Sequence, residues 1–447
     1  MQLSFKLAMA ASFTASIASA GGLDRSGQSV LSVFNDPGTY EFSYGQITPD
    51  ITGTDDTTGT VYDVGKTYSQ MSGSFTIALS DQIALSVIYD QPFGVNVLYN
   101  GTSTTDNLAG TGADLSSHAL TFVGKYQVNE NFSVFGGLRG QQLGGDVTLN
   151  GTTQAKGIAT AVVAKANGID ATTLGAALTG NATAIAALGG AATVAGYGAA
   201  VTTNTANFLA GGGYKLDVAN DVAFGGLVGM AYEIPDIALR AALTYNHSIE
   251  HSLDTVENMT GLGQTNVAST ATTVLPRSVN LDFQTGIAQN TLLIAGFRWA
   301  EWGSVDLKPT VLGSDLIGLK DSRSYSLGVA RRFNDSFSGS ITFQYEEASG
   351  EPVSALGPVD GVRGLTIGGR YTTGDVNISG GINYSWLGDA NAKGSSGTVA
   401  TFSDNSSVGV GFNVSVRCRI SVRRARVLPN PCSIDAIQVG FFDPPPS

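Results

Sequence analysis

The chain has 447 residues, and only 13% are charged, about half the share usual in a soluble domain. Hydrophobic residues make up an ordinary 42%, yet no apolar run of about 18 residues occurs beyond the N-terminus, which excludes a helical membrane protein. The net charge of −12 argues against a nucleic-acid-binding surface, and the scarcity of charge argues against a charge-rich disordered chain.

Residues 1–20 read as a secretory signal peptide. Lys6 supplies the positive n-region, Leu7 to Ile17 the apolar h-region, and Ala18-Ser19-Ala20 the small-x-small cleavage site. The mature chain begins near Gly21 and is exported. Its two cysteines, Cys418 and Cys432, both fall near the C-terminus, which excludes a disulfide-dense secreted fold.

From residue 39 onward the dominant signal is strict alternation, the mark of two-faced strands. Ile83, Leu85, Val87 and Tyr89 alternate with Ala84, Ser86, Ile88 and Asp90. Val408, Val410, Phe412, Val414 and Val416 alternate with Ser407, Gly409, Gly411, Asn413 and Ser415. Strands are expected near 39–49, 67–79, 83–99, 114–128, 132–149, 214–233, 236–252, 275–288, 291–306, 322–333, 336–347, 361–373, 376–387 and 404–417. The sixth is read as one long strand despite Asn220-Asp221, because Tyr214 through Tyr232 keep one parity.

A soluble antiparallel sheet and a barrel in lipid both alternate in this way. The connections decide between them. Short turns, such as Ser80-Asp81, Asn129-Glu130 and Gly374-Asp375, alternate with long polar stretches at 50–66, 100–112, 150–210, 253–274, 349–360 and 388–403. That asymmetry marks an outer-membrane barrel. Hydrocarbon offers a backbone N–H or C=O no partner, so the sheet must close. The reading is therefore all-β: a 14-stranded antiparallel transmembrane β-barrel over 39–417 with long extracellular loops. The longest loop, 150–213, is rich in alanine and glycine, and its 159–166 and 182–188 runs favour short helices. Fourteen strands enclose a lumen wider than an eight-stranded barrel, which its own side chains fill.

Four segments resemble the outer-membrane long-chain fatty acid transporter family (FadL-like, including the aromatic-hydrocarbon importers). They are Asp90-Gln91-Pro92-Phe93-Gly94; Ala231-Tyr232-Glu233-Ile234-Pro235 with Ala238-Leu239-Arg240; Leu275-Pro276-Arg277-Ser278-Val279 followed by Trp299-Ala300-Glu301-Trp302; and Lys320-Asp321-Ser322-Arg323-Ser324-Tyr325. The similarity covers residues 21–417. It implies a fourteen-stranded barrel with a small N-terminal hatch in the lumen. It also implies passive inward movement of ligand, leaving sideways through a gap at a kinked third strand.

The residues support a gap on their own terms. Pro92 removes a ladder hydrogen bond and Gly94 loosens the backbone, both out of place in a strand interior unless there is a bulge or opening. Alternation continues on both sides, through Tyr89 and then Phe93, Val95, Val97 and Tyr99. Asp90, Pro92, Phe93 and Gly94 are the expected lateral gate. Residues 21–38 resemble a short hatch, in which Asn35-Asp36-Pro37 departs from the family's Asn-Pro-Ala. Parity turns Lys125, Arg139, Arg240, Arg298 and Arg370 toward the lumen. A mid-strand charge facing lipid would cost about 2–4 kcal/mol. Each of the five is a candidate partner for a ligand carboxylate or for a lumen carboxylate such as Asp90, Glu233 or Glu346.

His247 and His251 are assigned to the outward face near the extracellular rim, with no metal role. No nucleophile elbow, zinc-binding helix or phosphate loop occurs, so neither an enzyme nor a cofactor is expected. Residues 418–447 break the pattern: Cys418, Arg419, Arg423, Arg424, Arg426 and Pro444-Pro445-Pro446 change composition, charge and period together. They read as a shifted frame or a readthrough, with a periplasmic tail as the rival.

The expected function is passive transport of long-chain fatty acids or other hydrophobic small molecules across the outer membrane of a Gram-negative bacterium. The expected partners are ligand, outer-membrane lipid and lipopolysaccharide, and the barrel assembly machinery, with the protein a monomer. A general porin for small hydrophilic solutes and a surface adhesin or receptor are the alternatives.

Overall fold

Alternating two-faced strands have one way to satisfy every backbone group in hydrocarbon, and the chain takes it. The computed structural model describes residues 23–394 and 397–418, so the expected signal segment at 1–20 and the tail beyond Cys418 lie outside the described residues. Seventeen hydrogen-bonded segments form one closed antiparallel sheet. Three pairs of segments each form one broken strand, leaving fourteen wall strands. They are β1 (Thr39–Asp50), β2 (Tyr68–Ala78), β3 (Ile83–Asp90 and Gly94–Leu98), β4 (Gly112–Gln127), β5 (Phe132–Leu149), β6 (Tyr214–Ile234) and β7 (Leu239–Asn246 and Ile249–Met259). The rest are β8 (Gln264–Leu275 and Ser278–Ala288), β9 (Thr291–Ala300), β10 (Ser322–Arg332), β11 (Phe337–Glu346), β12 (Val362–Thr373), β13 (Val376–Leu387) and β14 (Ser406–Arg417). Closure is made by β1, which pairs with β14 from Thr39–Arg417 to Asp50–Ser406 and with β2 on its other side. The sixth strand is unbroken.

The exterior inverts a soluble protein. Phe224 is 76% and Leu138 67% exposed, as a lipid-facing band requires. Aromatic pairs ring both ends of the wall. Tyr40 stacks on Phe75 at 4.2 Å beside the short turns, and Tyr384 meets Trp386 at 4.9 Å beside the long loops. The inward positions are small and polar, among them Ser86, Thr121, Ser133, Asn246, Asn383 and Ser385, all buried.

Parity fails at four places: at three breaks and at a bulge within β6, where residues 219–220 oppose Gly144 alone. There Tyr214, Leu216 and Val218 are buried inward whereas Val222 and Phe224 face lipid, against the single face that the sequence reading assigns them. In β3, Asp90 pairs with Ala119 but Gly94 pairs with Ser116. Residues 91–93 therefore oppose only 117–118, a bulge that exchanges the two faces. Ser86, Ile88 and Asp90 point inward before it; Phe93, Val95 and Val97 do so after it, all buried. This corrects the sequence reading, which carried the Tyr89 face straight through to Tyr99. β7 and β8 break together, at 247–248 and 276–277, and resume in register with Ile249 opposite Leu275. The same flip turns His251 inward and buries it, whereas His247 stays exposed. Beyond this break β7 and β8 continue as a hairpin where the sequence reading has a loop at 253–274. Above the membrane the outward face of a strand is polar, so apolar alternation fades while the pairing persists.

The long loops converge on the extracellular mouth. Four helices, α1 (Thr152–Ala166), α2 (Ala171–Leu178), α3 (Ala182–Ala187) and α4 (Ala191–Ala210), rise after β5. A four-stranded sheet is formed by Thr52–Asp55, Val61–Asp63, Ala390–Gly394 and Gly397–Phe402. Tyr62, Tyr99, Leu108, Phe208, Leu316 and Phe402 belong to the apolar core beneath it.

Candidate functional site

The hatch is built around one buried charge pair. Residues 23–34 lie inside the wall, with a short 3-10 turn at Leu31–Phe34. Arg298 of β9 grips Asp24 with two hydrogen bonds, Nε to Oδ2 at 3.0 Å and Nη2 to Oδ1 at 2.8 Å. The same guanidinium donates to the Gly27 carbonyl at 3.0 Å, to Ser278 Oγ at 3.0 Å and to Asn280 Oδ1 at 2.8 Å. Arg139 of β5 donates to Thr121 Oγ1 and Asn246 Oδ1, both at 3.0 Å, and to the Gln28 carbonyl at 3.5 Å. Lys125 and Arg240 lie 4.8 and 4.7 Å from the Phe34 ring centre, so two cations hold one aromatic ring of the hatch. Four of the five lumen cations named from sequence thus contact the hatch. The fifth, Arg370, donates to Ser379 Oγ at 3.1 Å on the far wall.

The hatch also meets the break in β3. The Arg25 N–H donates to the Pro92 carbonyl at 2.7 Å and the Gly94 N–H to the Leu23 carbonyl at 2.9 Å. Asp24 and Phe93 form an antiparallel bridge. The bulge directs these backbone groups inward, and the hatch edge satisfies them. On the outer side, β2–β3 pairing ends at Gly73–Tyr89. Gln91 partly covers the exposed edge: its Oε1 accepts from the Met71 N–H at 2.8 Å, and its carbonyl from Gln70 Nε2 at 3.2 Å. Above, a bridge between Gly65 and Val97 rejoins the wall. Between these limits lies a window with no ladder, bounded by Tyr68–Ser72 and Gln91–Val95.

Just inside the window Phe93 meets Trp302 edge to face at 5.2 Å. Leu275, Ala300 and Val305 complete this apolar cluster, with Leu23 and Leu143 against it. A second discontinuity exists between β6 and β7, whose pairing lapses between Leu227–Asn246 and Val218–Thr255. The cavity there, about 870 Å³, is lined by carboxylates (Asp146, Asp217, Asp254) together with apolar residues such as Val218, Val256 and Ala268.

Of the remaining named residues, Asp90 is buried and accepts from Ser26 Oγ of the hatch. Asn35, Asp36 and Pro37 sit at the short-turn rim instead, where the Asp36 carboxylate pairs with Arg417 at 2.7 Å. Sequence reasoning passed over Asp24, Arg25 and Tyr68, and met Trp302 only as part of a family-like segment. The one available signal was a charged pair, Asp24-Arg25, in a segment of small residues.

The cap is tied together by Asp55. Its carboxylate accepts from the Tyr62 hydroxyl, from the Asn107 N–H at 2.6 Å and from the N–H groups of Thr57 and Thr58 at 2.8 and 3.0 Å. Burial pushes the Asp55 carboxyl up, but these donors outweigh it and hold it below its ordinary value. On the β7–β8 hairpin, buried Glu257 accepts from the backbone of Val311 and Leu312 and from the Tyr214 hydroxyl, which pins the loop after β9. No metal-binding group of side chains occurs among the described residues.

A closed fourteen-stranded barrel, a plugged lumen and a capped mouth define an outer-membrane transport barrel. Residues 39–420 match the family described as outer membrane protein transport protein (OMPP1/FadL/TodX), and the chain belongs to that family. The family and the barrel point to the Gram-negative outer membrane, and the family's business is transport rather than catalysis. Solved structures share the fold at low identity. A Pseudomonas aeruginosa FadL homologue is 13% identical with a TM-score of 0.62, covering 89% of this chain and 96% of its own. The Pseudomonas putida toluene transporter TodX is 13% identical with a TM-score of 0.55, covering 90% and 96%. The Ralstonia pickettii toluene transporter TbuX is 13% identical with a TM-score of 0.52, covering 90% and 96%. No curated protein sequence matches the chain.

Proposed function

We propose that this barrel carries hydrophobic molecules, long-chain fatty acids or aromatic hydrocarbons among them, from outside into the outer membrane through the β2–β3 window. The observation that carries the reading is the coincidence of three features at one place. The wall ladder lapses at residues 91–93, the bulge turns Phe93 inward, and Phe93 joins the Trp302 cluster directly behind the opening. An apolar solute in that cluster has the window beside it and the polar hatch below it. Lateral exit therefore avoids dragging hydrocarbon past Asp24, Arg298 and Arg139. The solved relatives named for toluene agree with a greasy cargo. An open aqueous pore fits poorly with a lumen in which four of the five named cations are engaged by the hatch.

The test is uptake of radiolabelled oleate and toluene by a Gram-negative host lacking its own transporter for either. In the decisive variant, deletion of Gln91 brings β3 into one continuous register. Uptake by the parent chain and its loss in the deletion, with heat-modifiable gel migration showing a folded barrel, supports the reading. Undiminished uptake by a folded deletion variant refutes the lateral route.

A further inference from the structure

One charged side chain stands in the window itself. Arg25 leaves the hatch beside Pro92 and is 8% exposed. Its Cζ lies 4.2 Å from the centre of the Tyr68 ring on β2. Its Nη2 donates to Asn96 Oδ1 on β3. Asn96 in turn donates through Nδ2 to Asp114 on β4, which turns its carbonyl oxygen toward the guanidinium. Val95 and Val97 face inward while Leu98 is exposed, so Asn96 belongs to the outward parity. The guanidinium tip therefore spans the thickness of the wall, from Tyr68 on the inward side to Asn96 on the outward side. With Gln91 it stands where the β2–β3 ladder is missing.

Gly94 makes room for it. A Cβ at that position would lie 2.5 Å from Arg25 Cζ, so any side chain there collides with the guanidinium. The Arg25 Nε–H is buried without a hydrogen-bond partner. Among the described residues no carboxylate reaches ion-pair distance of Arg25. The other hatch-contacting cations are differently placed: Arg298 has Asp24, and Arg139, Lys125 and Arg240 face the hatch from the wall. Arg25 is the cation held by a neutral amide and an aromatic face, with a donor to spare.

We propose that Arg25 is the bolt of the lateral window and that the carboxylate of a departing amphiphile draws it. On this view exit favours anionic head groups over headless hydrocarbons of the same length. The inference rests on the lateral-exit reading above. A carboxylate offers two acceptor oxygens that match the Nε and Nη2 donors as a fork. It satisfies the orphaned Nε–H and replaces the Asn96 bond in one arrangement. A hydrocarbon offers neither, so for it every opening leaves a buried guanidinium short of acceptors. The same side chain thus closes the wall at rest and senses the cargo's charge.

The experiment compares uptake of radiolabelled oleate with that of radiolabelled octadecane, presented at equal free concentration to a host lacking its own transporter. The parent chain, Arg25→Gln and Arg25→Lys are each checked for heat-modifiable migration. Arg25→Gln is expected to lower the oleate-to-octadecane ratio roughly tenfold to a hundredfold, the worth of a charge-assisted hydrogen bond. Arg25→Lys, which keeps charge and loses the fork, falls between. A ratio unchanged in Arg25→Gln overturns the proposal. The lateral route is tested separately by the Gln91 deletion, which brings β3 into one register and keeps the Asp24–Arg298 pair. Loss of both cargoes in a folded deletion barrel upholds the window; passage of both sinks the lateral route, whatever Arg25 does.

Discussion

Removing Arg298 should release the hatch and leave the barrel intact. The Arg298 and Asp24 side chains are 12% and 7% exposed, and Arg298→Met strands the Asp24 carboxylate with the Trp302 indole N–H, 3.5 Å away, as a weak remaining donor. Breaking a buried pair from one side costs about 3–5 kcal/mol, or roughly two to three and a half decades in an equilibrium constant. That cost falls on hatch docking, because the β8–β9 and β9–β10 ladders are made of backbone bonds. The reporter is Val33→Cys, a position of zero exposure in the docked hatch, in a background with Cys418 and Cys432 replaced by serine. Maleimide labelling from the periplasmic side should accelerate at least a hundredfold in Arg298→Met. Adding Asp24→Asn should recover much of that loss, since it removes the stranded charge. Labelling that stays slow in Arg298→Met, or a double variant as loose as the single, refutes the claim that this ion pair seats the hatch.

Three further outcomes follow from the same geometry. Gly94→Val sets a side chain against the Arg25 guanidinium, so oleate uptake should fall at least tenfold in a barrel that still migrates as folded; full uptake contradicts a crowded window. Trp302 is buried beside Phe93, whereas Trp386 lies half-exposed on the lipid face. A brominated fatty acid captured in the lumen should therefore quench Trp302, and brominated lipid should quench Trp386; Trp302→Phe that leaves ligand quenching unchanged places the cargo elsewhere. Asp55 is held below its ordinary pKa by its donors, so its contribution to the cap is complete above the unfolded value and is lost as pH falls through the folded one. Proteolysis within 150–213 should accelerate on acidification, and Asp55→Asn should flatten that dependence; a parent chain cut at the same rate across the acid range contradicts it.

Strand number and position were legible because lipid imposes one rule on every strand: apolar outward, small or polar inward. Tyr214 to Tyr232 could be read as one strand through Asn220-Asp221 because apolar residues keep alternate positions, although the bulge there turns Tyr214, Leu216 and Val218 inward and Val222 and Phe224 outward. The rule stops at the membrane surface. The hairpin of Ile249–Met259 and Gln264–Leu275 pairs as regularly as the wall, but its outward Glu250, Ser252 and Asp254 face water, so a pattern that seeks grease sees a loop. Face assignment failed wherever a bulge exchanged parity, at 91–93, 219–220, 247–248 and 276–277. Pro92 and Pro276 mark two of these sites, yet a proline announces a break without saying whether one residue or two is inserted. His251 and Phe93 were therefore placed on the wrong face.

The inward cations show a deeper limit. Parity turned Lys125, Arg139, Arg240 and Arg298 inward, and geometry agrees, but their partners come from residues 23–34, which carry almost no periodic signal. A lumen arginine in a fatty-acid channel invites assignment to the ligand. Hydrogen-bond satisfaction assigns it otherwise: Arg298 spends its donors on Asp24, Gly27, Ser278, Asn280 and Gln28, leaving none for cargo while the hatch is docked. Arg139→Met should accordingly lower oleate and octadecane uptake together, through the hatch, whereas Arg25→Gln should separate them. The contrast follows from where each guanidinium ends, one in the floor of the lumen and the other in its wall.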